Sequence, residues 1–208
     1  MNKRDNKLMT TFTNINQDQK LIESAIKIQN DINIYANSKI IAIAVAKTDI
    51  SLDIVASTLA EVYALQNQKT LLIDCDMYAP FLNNLFNKDL VECGLDDLIG
   101  DKINMDKLIN HISDKLDAVF TEKTNYPTEV FKSKNYYDFI CEIKDRYEHV
   151  ILVMPSIVDH QDILMSKELI TATLLVARKS KVSKKDLFDS IQTLKVNDIP
   201  YVGTIYLK

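Results

Sequence analysis

Apolar runs alternate with amphipathic segments along most of the chain. The first run, residues 40–46, reads Ile-Ile-Ala-Ile-Ala-Val-Ala, which is too short to span a membrane and long enough for a buried parallel strand. From Asp53 onward, apolar residues recur with the 3.6-residue period of one helix face. A second strand follows at Thr70–Ile73 and ends in Asp74-Cys75-Asp76. The pattern therefore predicts a strand, a loop, a helix and a second strand.

The same alternation continues to the C-terminal end. It predicts further strands at residues 116–120, 150–154, 172–177 and 201–207, and helices at residues 17–35, 127–147, 162–170 and 183–195. Thr128 or Asn125 is placed to cap the helix that opens at Pro127. These elements predict an α/β fold, a single-domain doubly wound, mostly parallel sheet flanked by helices. The length of 208 residues suits one domain over residues 17–208, after a flexible N-terminus of residues 1–16.

The loop between the first strand and its helix lacks the residues that bind a phosphate group. A phosphate loop in this position needs glycines, whose backbone N–H groups close around the anion, and a lysine that offsets its charge. Residues 47–53 read Lys-Thr-Asp-Ile-Ser-Leu-Asp and contain no glycine. In a partly dry pocket, Asp49 and Asp53 would repel phosphate oxygens by on the order of several kcal/mol. Lys47 precedes the turn and is expected to point to solvent, so ATP is not expected to bind in the usual way.

The charge of the chain limits its partners. The formal net charge is −4 and there is no dense basic face, which argues against binding nucleic acid through its phosphates. One basic cluster could contact an anionic membrane surface, although such runs are mostly solvated faces. The cluster consists of Arg178, Lys179, Lys181, Lys184 and Lys185.

The cysteines and histidines predict no metal site. Three widely spaced cysteines fit ordinary buried thiols in a reducing compartment, and the three histidines stand apart from them and from each other. The polar N-terminal sequence does not resemble a signal peptide, and no apolar run is long enough for a transmembrane helix. We therefore expect a cytoplasmic protein.

Three groups of residues resemble a known family. They are Leu71–Asp76 with Pro80, the segment Gly94–Gly100, and Pro127-Thr128-Glu129. In these landmarks, and over about residues 17–208, the chain resembles the cytoplasmic domain of bacterial tyrosine kinases (BY-kinases) of capsule and exopolysaccharide biosynthesis. That family is related to the deviant Walker A ATPases of the MinD/ParA type, which act in cell division and partition. The resemblance implies a P-loop NTPase-like fold that binds ATP and magnesium in the family.

The resemblance also implies that the family's nucleotide-binding residues have been replaced here. Asp49 and Ser51 stand at the positions of the loop glycines, Leu52 at that of the lysine, and Asp53 at that of the magnesium-binding hydroxyl. Val153 replaces the aspartate that organises the metal and water, and valine cannot ligate magnesium.

Other family features are kept only in part. Asp74 and Asp76 match the second acidic motif, but the basic residues that normally follow it fall on Tyr78 and Ala79. An alternative interpretation is structural: Asp74 caps the end of its strand and Asp76 begins the next turn.

In the N-terminal helix, the family assembles rings through a glutamate and two arginines. Glu23 is matched, whereas the arginines are replaced by Ile26 and Gln29, so ring assembly is not expected. The C-terminal tyrosine cluster of the family has no counterpart before Lys208.

These replacements predict a pseudokinase, a catalytically inactive homologue that acts by contact and has no cofactor. The expected partner is a membrane polysaccharide co-polymerase or adaptor, or an active kinase paralogue. Membrane association, at the inner face, is expected only through that partner, and a homodimer is compatible with the sequence. The alternative is an active ATP-binding tyrosine kinase, in which Asp74 and Asp76 hold magnesium and another chain supplies the lysine, or a MinD/ParA-like ATPase with a non-standard phosphate loop.

Overall fold

The fold is a seven-stranded sheet with helices on both faces. The computed structural model describes residues 19–35, 39–49, 51–86, 92–100 and 104–207. Within these residues the predicted α/β class and the mostly parallel sheet are confirmed. The predicted flexible N-terminus, residues 1–16, lies outside the described residues. None of the described helices is long and apolar enough to cross a membrane.

The strands are arranged in the order β3-β4-β2-β5-β1-β6-β7. All neighbouring pairs are parallel except β3 and β4, which are antiparallel. The strands are β1 Ile40–Val45, β2 Thr70–Asp74, β3 Ile109–Ser113, β4 Leu116–Val119, β5 His149–Val153, β6 Ala172–Arg178 and β7 Tyr201–Leu207. The α-helices are α1 Gln19–Tyr35, α2 Ser51–Leu65, α3 Leu82–Leu85, α4 Pro127–Lys132, α5 Lys134–Arg146 and α6 Lys184–Val196. Short 3₁₀ helices cover Leu95–Ile99, Met105–Leu108 and Asp162–Ser166.

The two faces of the sheet bury separate apolar clusters. Successive side chains of a strand point to opposite faces, so Ile41 and Ile43 of β1 pack in the cluster that contains Leu59 of α2. Ala42 packs on the other face, in the cluster that contains Phe139 of α5. Because both faces of the central strands are covered, β1 is apolar along its whole length, as the sequence pattern predicted.

The structure corrects two predicted helices. The helix predicted over residues 127–147 is two helices, because the backbone of Ser133 is extended and its hydroxyl accepts a hydrogen bond from the Tyr136 N–H at 3.1 Å, which starts α5. Neither Thr128 nor Asn125 caps α4, which begins after Tyr126 without a side-chain cap. The segment predicted as a helix over residues 162–170 forms only the short 3₁₀ helix at its start.

Strand β3 was not predicted from the sequence. It reads Ile-Asn-His-Ile-Ser, and all five of its residues are partly or fully exposed. It pairs with one neighbour at the edge of the sheet, so it needs no continuous apolar run.

Candidate functional site

The candidate site lies at the carboxyl ends of β1, β2, β5 and β6. In open parallel sheets, ligands bind at this edge, where two neighbouring strands connect onward to opposite sides of the sheet. Here these strands are β1, which connects to β2 on one side, and β6, which connects to β7 on the other. The loop after β1, the end of β2 at Asp74 and the end of β5 at Val153 all reach this edge.

The loop after β1 is closed by an ion pair that the sequence did not predict. Arg178, the last residue of β6, places its Nε atom 3.1 Å from an Asp49 carboxylate oxygen, and the Asp49 side chain is only 6% exposed. The Asp49 carbonyl oxygen accepts a hydrogen bond from the Leu52 N–H at 3.1 Å, which turns the chain into α2. Lys47 is exposed, as predicted, and lies 4.0 Å from Asp186. The charge of Asp49 is therefore offset within the chain.

Three buried carboxyl groups form an acidic cluster beside this loop: Asp53, Asp74 and Asp76. The pKa of Asp53 is raised from 3.8 to about 7, chiefly by burial and in smaller part by the negative charge of Asp76. Burial and the charge of Asp53 hold the pKa of Asp74 well above its usual range. Burial also raises the pKa of Asp76, against the effect of two backbone hydrogen bonds. No described residue forms an ion pair with the three carboxyl groups.

Asp74 and Asp76 also organise the backbone after β2. Asp74 accepts hydrogen bonds from the N–H groups of Asp76, at 3.0 Å, and Leu82, at 3.3 Å. Asp76 accepts bonds from the N–H groups of Tyr78, at 3.2 Å, and Ala79, at 3.1 Å. These are the bonds that the structural interpretation of the two aspartates predicts.

Comparisons with known proteins give the family context. No family model matches the chain. The chain is 23% identical over 177 residues to the tyrosine-protein kinase ptk of Acinetobacter johnsonii, covering 83% of this chain and 24% of the relative. It is 28% identical over 170 residues to the tyrosine-protein kinase etk of Escherichia coli K12, covering 81% of this chain and 23% of that kinase. The kinase domain of E. coli ETK superposes with a TM-score of 0.81 at 25% identity, covering 89% of this chain and 74% of that one.

The chain is a homologue of the bacterial tyrosine kinases. The same fold is found in the MinD cell division protein of Aquifex aeolicus, with a TM-score of 0.63 at 17% identity and coverage of 81% and 68%. The chain spans about a quarter of the length of the curated kinases that it matches.

Core side chains occupy two of the positions at which the resemblance places the nucleotide-binding residues of the kinases. Leu52 is 2% exposed and packs with Val55 and Leu59 on the α2 side of the sheet. Val153 is fully buried in the same cluster. Ser51 is the first residue of α2. Among the described residues, no group of three or more His, Cys, Asp or Glu side chains has the geometry to hold a metal ion.

Tyr78, one of the two positions at which the resemblance places basic residues, takes part in a second network. The Tyr78 hydroxyl donates a hydrogen bond to Asp162 at 2.7 Å, and the Tyr78 ring stacks on His160 with centroids 3.5 Å apart. Thr128 donates to the other oxygen of Asp162 at 3.0 Å. Partial burial and the bond to Asp162 raise the pKa of Tyr78 to about 12. His160 is therefore part of a contact that joins the turn after β2, the segment after β5 and the start of α4.

In α1, the position of one ring-forming arginine of the kinases is buried. Gln29 is 2% exposed and exchanges two amide hydrogen bonds with Gln66, at 2.7 and 2.8 Å. Ile26 and Glu23 lie on the exposed side of the helix. Gln29 therefore joins α1 to the end of α2 within the chain.

Proposed function

We propose that this kinase homologue is a pseudokinase that acts as a regulatory or scaffolding partner in capsule or exopolysaccharide biosynthesis. The observation that carries the proposal is the buried ion pair between Asp49 and Arg178, which fills the loop where the kinases bind phosphate. In the kinases that position is expected to hold glycine backbone, open to an anion.

Electrostatics at the loop support this proposal. A triphosphate bound there would face the Asp49 carboxylate and the acidic cluster, and Arg178, the cation beside Asp49, is already paired. Leu52 cannot supply the missing positive charge because it is uncharged and packed into the core. Displacing Arg178 toward a phosphate would leave Asp49 without its cation in a nearly buried position, which costs about 1–3 kcal/mol or more.

Val153 gives a second, independent reason not to expect magnesium and ATP at this site. Magnesium prefers carboxylate and water oxygens in near-octahedral geometry, and the valine side chain offers none. The residues at this site therefore do not fit magnesium and ATP in the arrangement that the family uses, and we derive no catalytic step through them.

One observation favours the alternative, an active ATP-binding enzyme with a non-standard loop. The acidic cluster buries three carboxyl groups, and a bound cation would offset their repulsion. In that case Asp74 and Asp76 would hold the metal and a second chain would supply the lysine.

Titration calorimetry of the purified chain with ATP or ADP, in the presence of magnesium, distinguishes the pseudokinase from the active ATP-binding enzyme. We expect no saturable binding. A dissociation constant on the order of micromolar, which corresponds to about −8 kcal/mol, would overturn the pseudokinase proposal. Magnesium alone is titrated in parallel, because binding of the metal to the acidic cluster would support the alternative.

A restoring variant strengthens the test. The triple substitution Asp49→Gly, Ser51→Gly and Leu52→Lys supplies the flexible backbone and the cation, and it frees Arg178. We expect it to gain measurable nucleotide binding, further increased by Val153→Asp. The matched control replaces the same three residues by alanine, which removes the same side chains and supplies neither glycine backbone nor lysine. Equal binding by both triple variants would contradict the electrostatic reasoning.

For the partner, we propose a membrane polysaccharide co-polymerase or adaptor, or an active kinase paralogue, at the inner face of the membrane. The support is the homology to capsule tyrosine kinases, of which this chain matches about a quarter. Co-purification from the native host tests it: repeated recovery of neither class of protein would count against the scaffold role.

A further inference from the structure

The loop between β6 and α6, with the first turns of α6, forms an exposed basic surface. We define it as residues 179–189, Lys-Ser-Lys-Val-Ser-Lys-Lys-Asp-Leu-Phe-Asp. These residues carry four lysines and two aspartates, a net charge of +2, in a chain whose total charge is −4. All four lysines are exposed. The basic surface therefore carries a net charge of opposite sign to that of the whole chain.

The two aspartates of this surface are already engaged. Asp186 accepts hydrogen bonds from the N–H and hydroxyl groups of Ser183, at 3.1 and 2.7 Å, and so caps the start of α6. Asp189 pairs with Lys185 at 3.0 Å. The side chains of Lys179, Lys181 and Lys184 form no ion pair with the described residues. Three cations are thus left facing solvent.

The position of the lysines on α6 is unfavourable for the helix itself. Ser183 is the N-cap, so Lys184 and Lys185 are the first two residues of the helix. The helix N-terminus carries a partial positive charge, which favours acidic residues there and disfavours lysine. The lysines therefore weaken the helix that presents them, which is understandable if they bind an anionic partner.

An aromatic side chain stands beside the cations. Phe188 lies one turn after Lys184 on α6 and is 60% exposed. Lysines around an exposed phenylalanine on a helix are the combination that binds membrane interfaces, where the ring enters the headgroup region and the cations meet anionic lipids. A surface that binds a nucleic acid duplex is expected to offer more cations than these, because such proteins commonly contact six or more phosphates.

We propose that the basic surface binds directly to an anionic phospholipid bilayer. This contact does not require a protein adaptor, in contrast to the expectation from the sequence that membrane association occurs only through a partner. None of the four lysines belongs to the loop or to the acidic cluster, so vesicle binding and nucleotide binding can be tested separately.

Vesicle co-sedimentation of the full chain tests the proposal. We expect binding to vesicles of phosphatidylglycerol mixed with phosphatidylcholine, weakened by salt, and little binding to phosphatidylcholine alone. The double variant Lys181→Glu, Lys184→Glu should bind the anionic vesicles at least about 25-fold more weakly, or about fivefold for each lysine lost. Phe188→Ser should reduce the part of the binding that resists salt.

Two controls separate lost binding from lost folding. Lys107→Glu with Lys132→Glu makes the same change in net charge with exposed lysines outside the basic surface, and should bind like the unmodified chain. Lys184→Glu alone places an acid in the first turn of α6, so its melting temperature should be equal or higher while its vesicle binding falls. The proposal is overturned if the unmodified chain does not bind anionic vesicles, if it binds neutral vesicles equally well, if it binds a DNA duplex but not vesicles, or if both double variants lose binding equally.

Discussion

Replacing Asp53 by asparagine tests the electrostatics of the acidic cluster. The Asp53 carboxyl group is nearly buried, and its pKa rises from 3.8 to about 7, first because burial penalises the charged form and then because of the charge of Asp76. Asparagine has nearly the same shape, has no charge, and keeps an oxygen that accepts hydrogen bonds. The substitution therefore removes the charge and little else.

The sign of the pH dependence follows from the direction of the pKa shift. Between pH 3.8 and about 7 the folded chain holds the Asp53 proton that the unfolded chain has released, so the free energy of unfolding falls as pH rises through this window. One pKa unit corresponds to about 1.4 kcal/mol, so the full shift amounts to at most about 4 kcal/mol. Above about pH 8, Asp53→Asn should raise the free energy of unfolding by about 2–4 kcal/mol, and below about pH 5 most of this gain should disappear.

Urea unfolding followed by circular dichroism, at about pH 5 and about pH 8.5, measures both values. The matched control is Asp145→Asn on α5, whose side chain is 77% exposed, and which should change the stability little at either pH. A loss of stability at the higher pH, or a gain that is the same at both, would refute the reasoning. The loss would mean that a cation offsets the Asp53 carboxylate, whereas an equal gain would mean that the Asp53 carboxyl group does not change charge between the two pH values.

Three further contacts give predictions about stability. Arg178→Ala should lower the free energy of unfolding by about 1–3 kcal/mol because the Asp49 carboxylate loses its cation. The double variant with Asp49→Ala should lose less stability than the sum of the two single variants, and a loss equal to that sum would contradict the pairing. Ser133→Ala should lower it by about 1 kcal/mol through the lost cap of α5, and an unchanged melting temperature would argue against the cap. Tyr78→Phe should cost about 1–2 kcal/mol in urea unfolding because a nearly buried Asp162 oxygen loses its donor, whereas no cost would mean that water replaces the hydroxyl.

The fold was predictable wherever burial imposes a pattern on the sequence. Strands β1 and β5 are covered on both faces, so their buried residues, Ile40–Val45 and 150–153, are all apolar, and the runs could be recognised directly. The break at Ser133 was missed because a serine followed by helix-forming residues fits the interior of one long helix nearly as well as the start of a second. Strand β3 was missed because a half-exposed edge strand needs no apolar run.

The candidate site was predictable in residue type and not in its contacts. The absence of glycine from the loop, and leucine at the lysine position 52, could be read from residues 47–53 alone, but the cation that reaches Asp49 comes from a strand far along the chain. In the sequence, Arg178 stands beside four lysines and belongs to the same basic cluster. It is the last residue of β6, so the sheet holds it beside the loop after β1, whereas the lysines follow beyond the strand and turn outward into the basic surface. The register of β6 against β1 therefore separates the residues of one basic segment: Arg178 pairs with Asp49 of the loop after β1, and the lysines are left exposed.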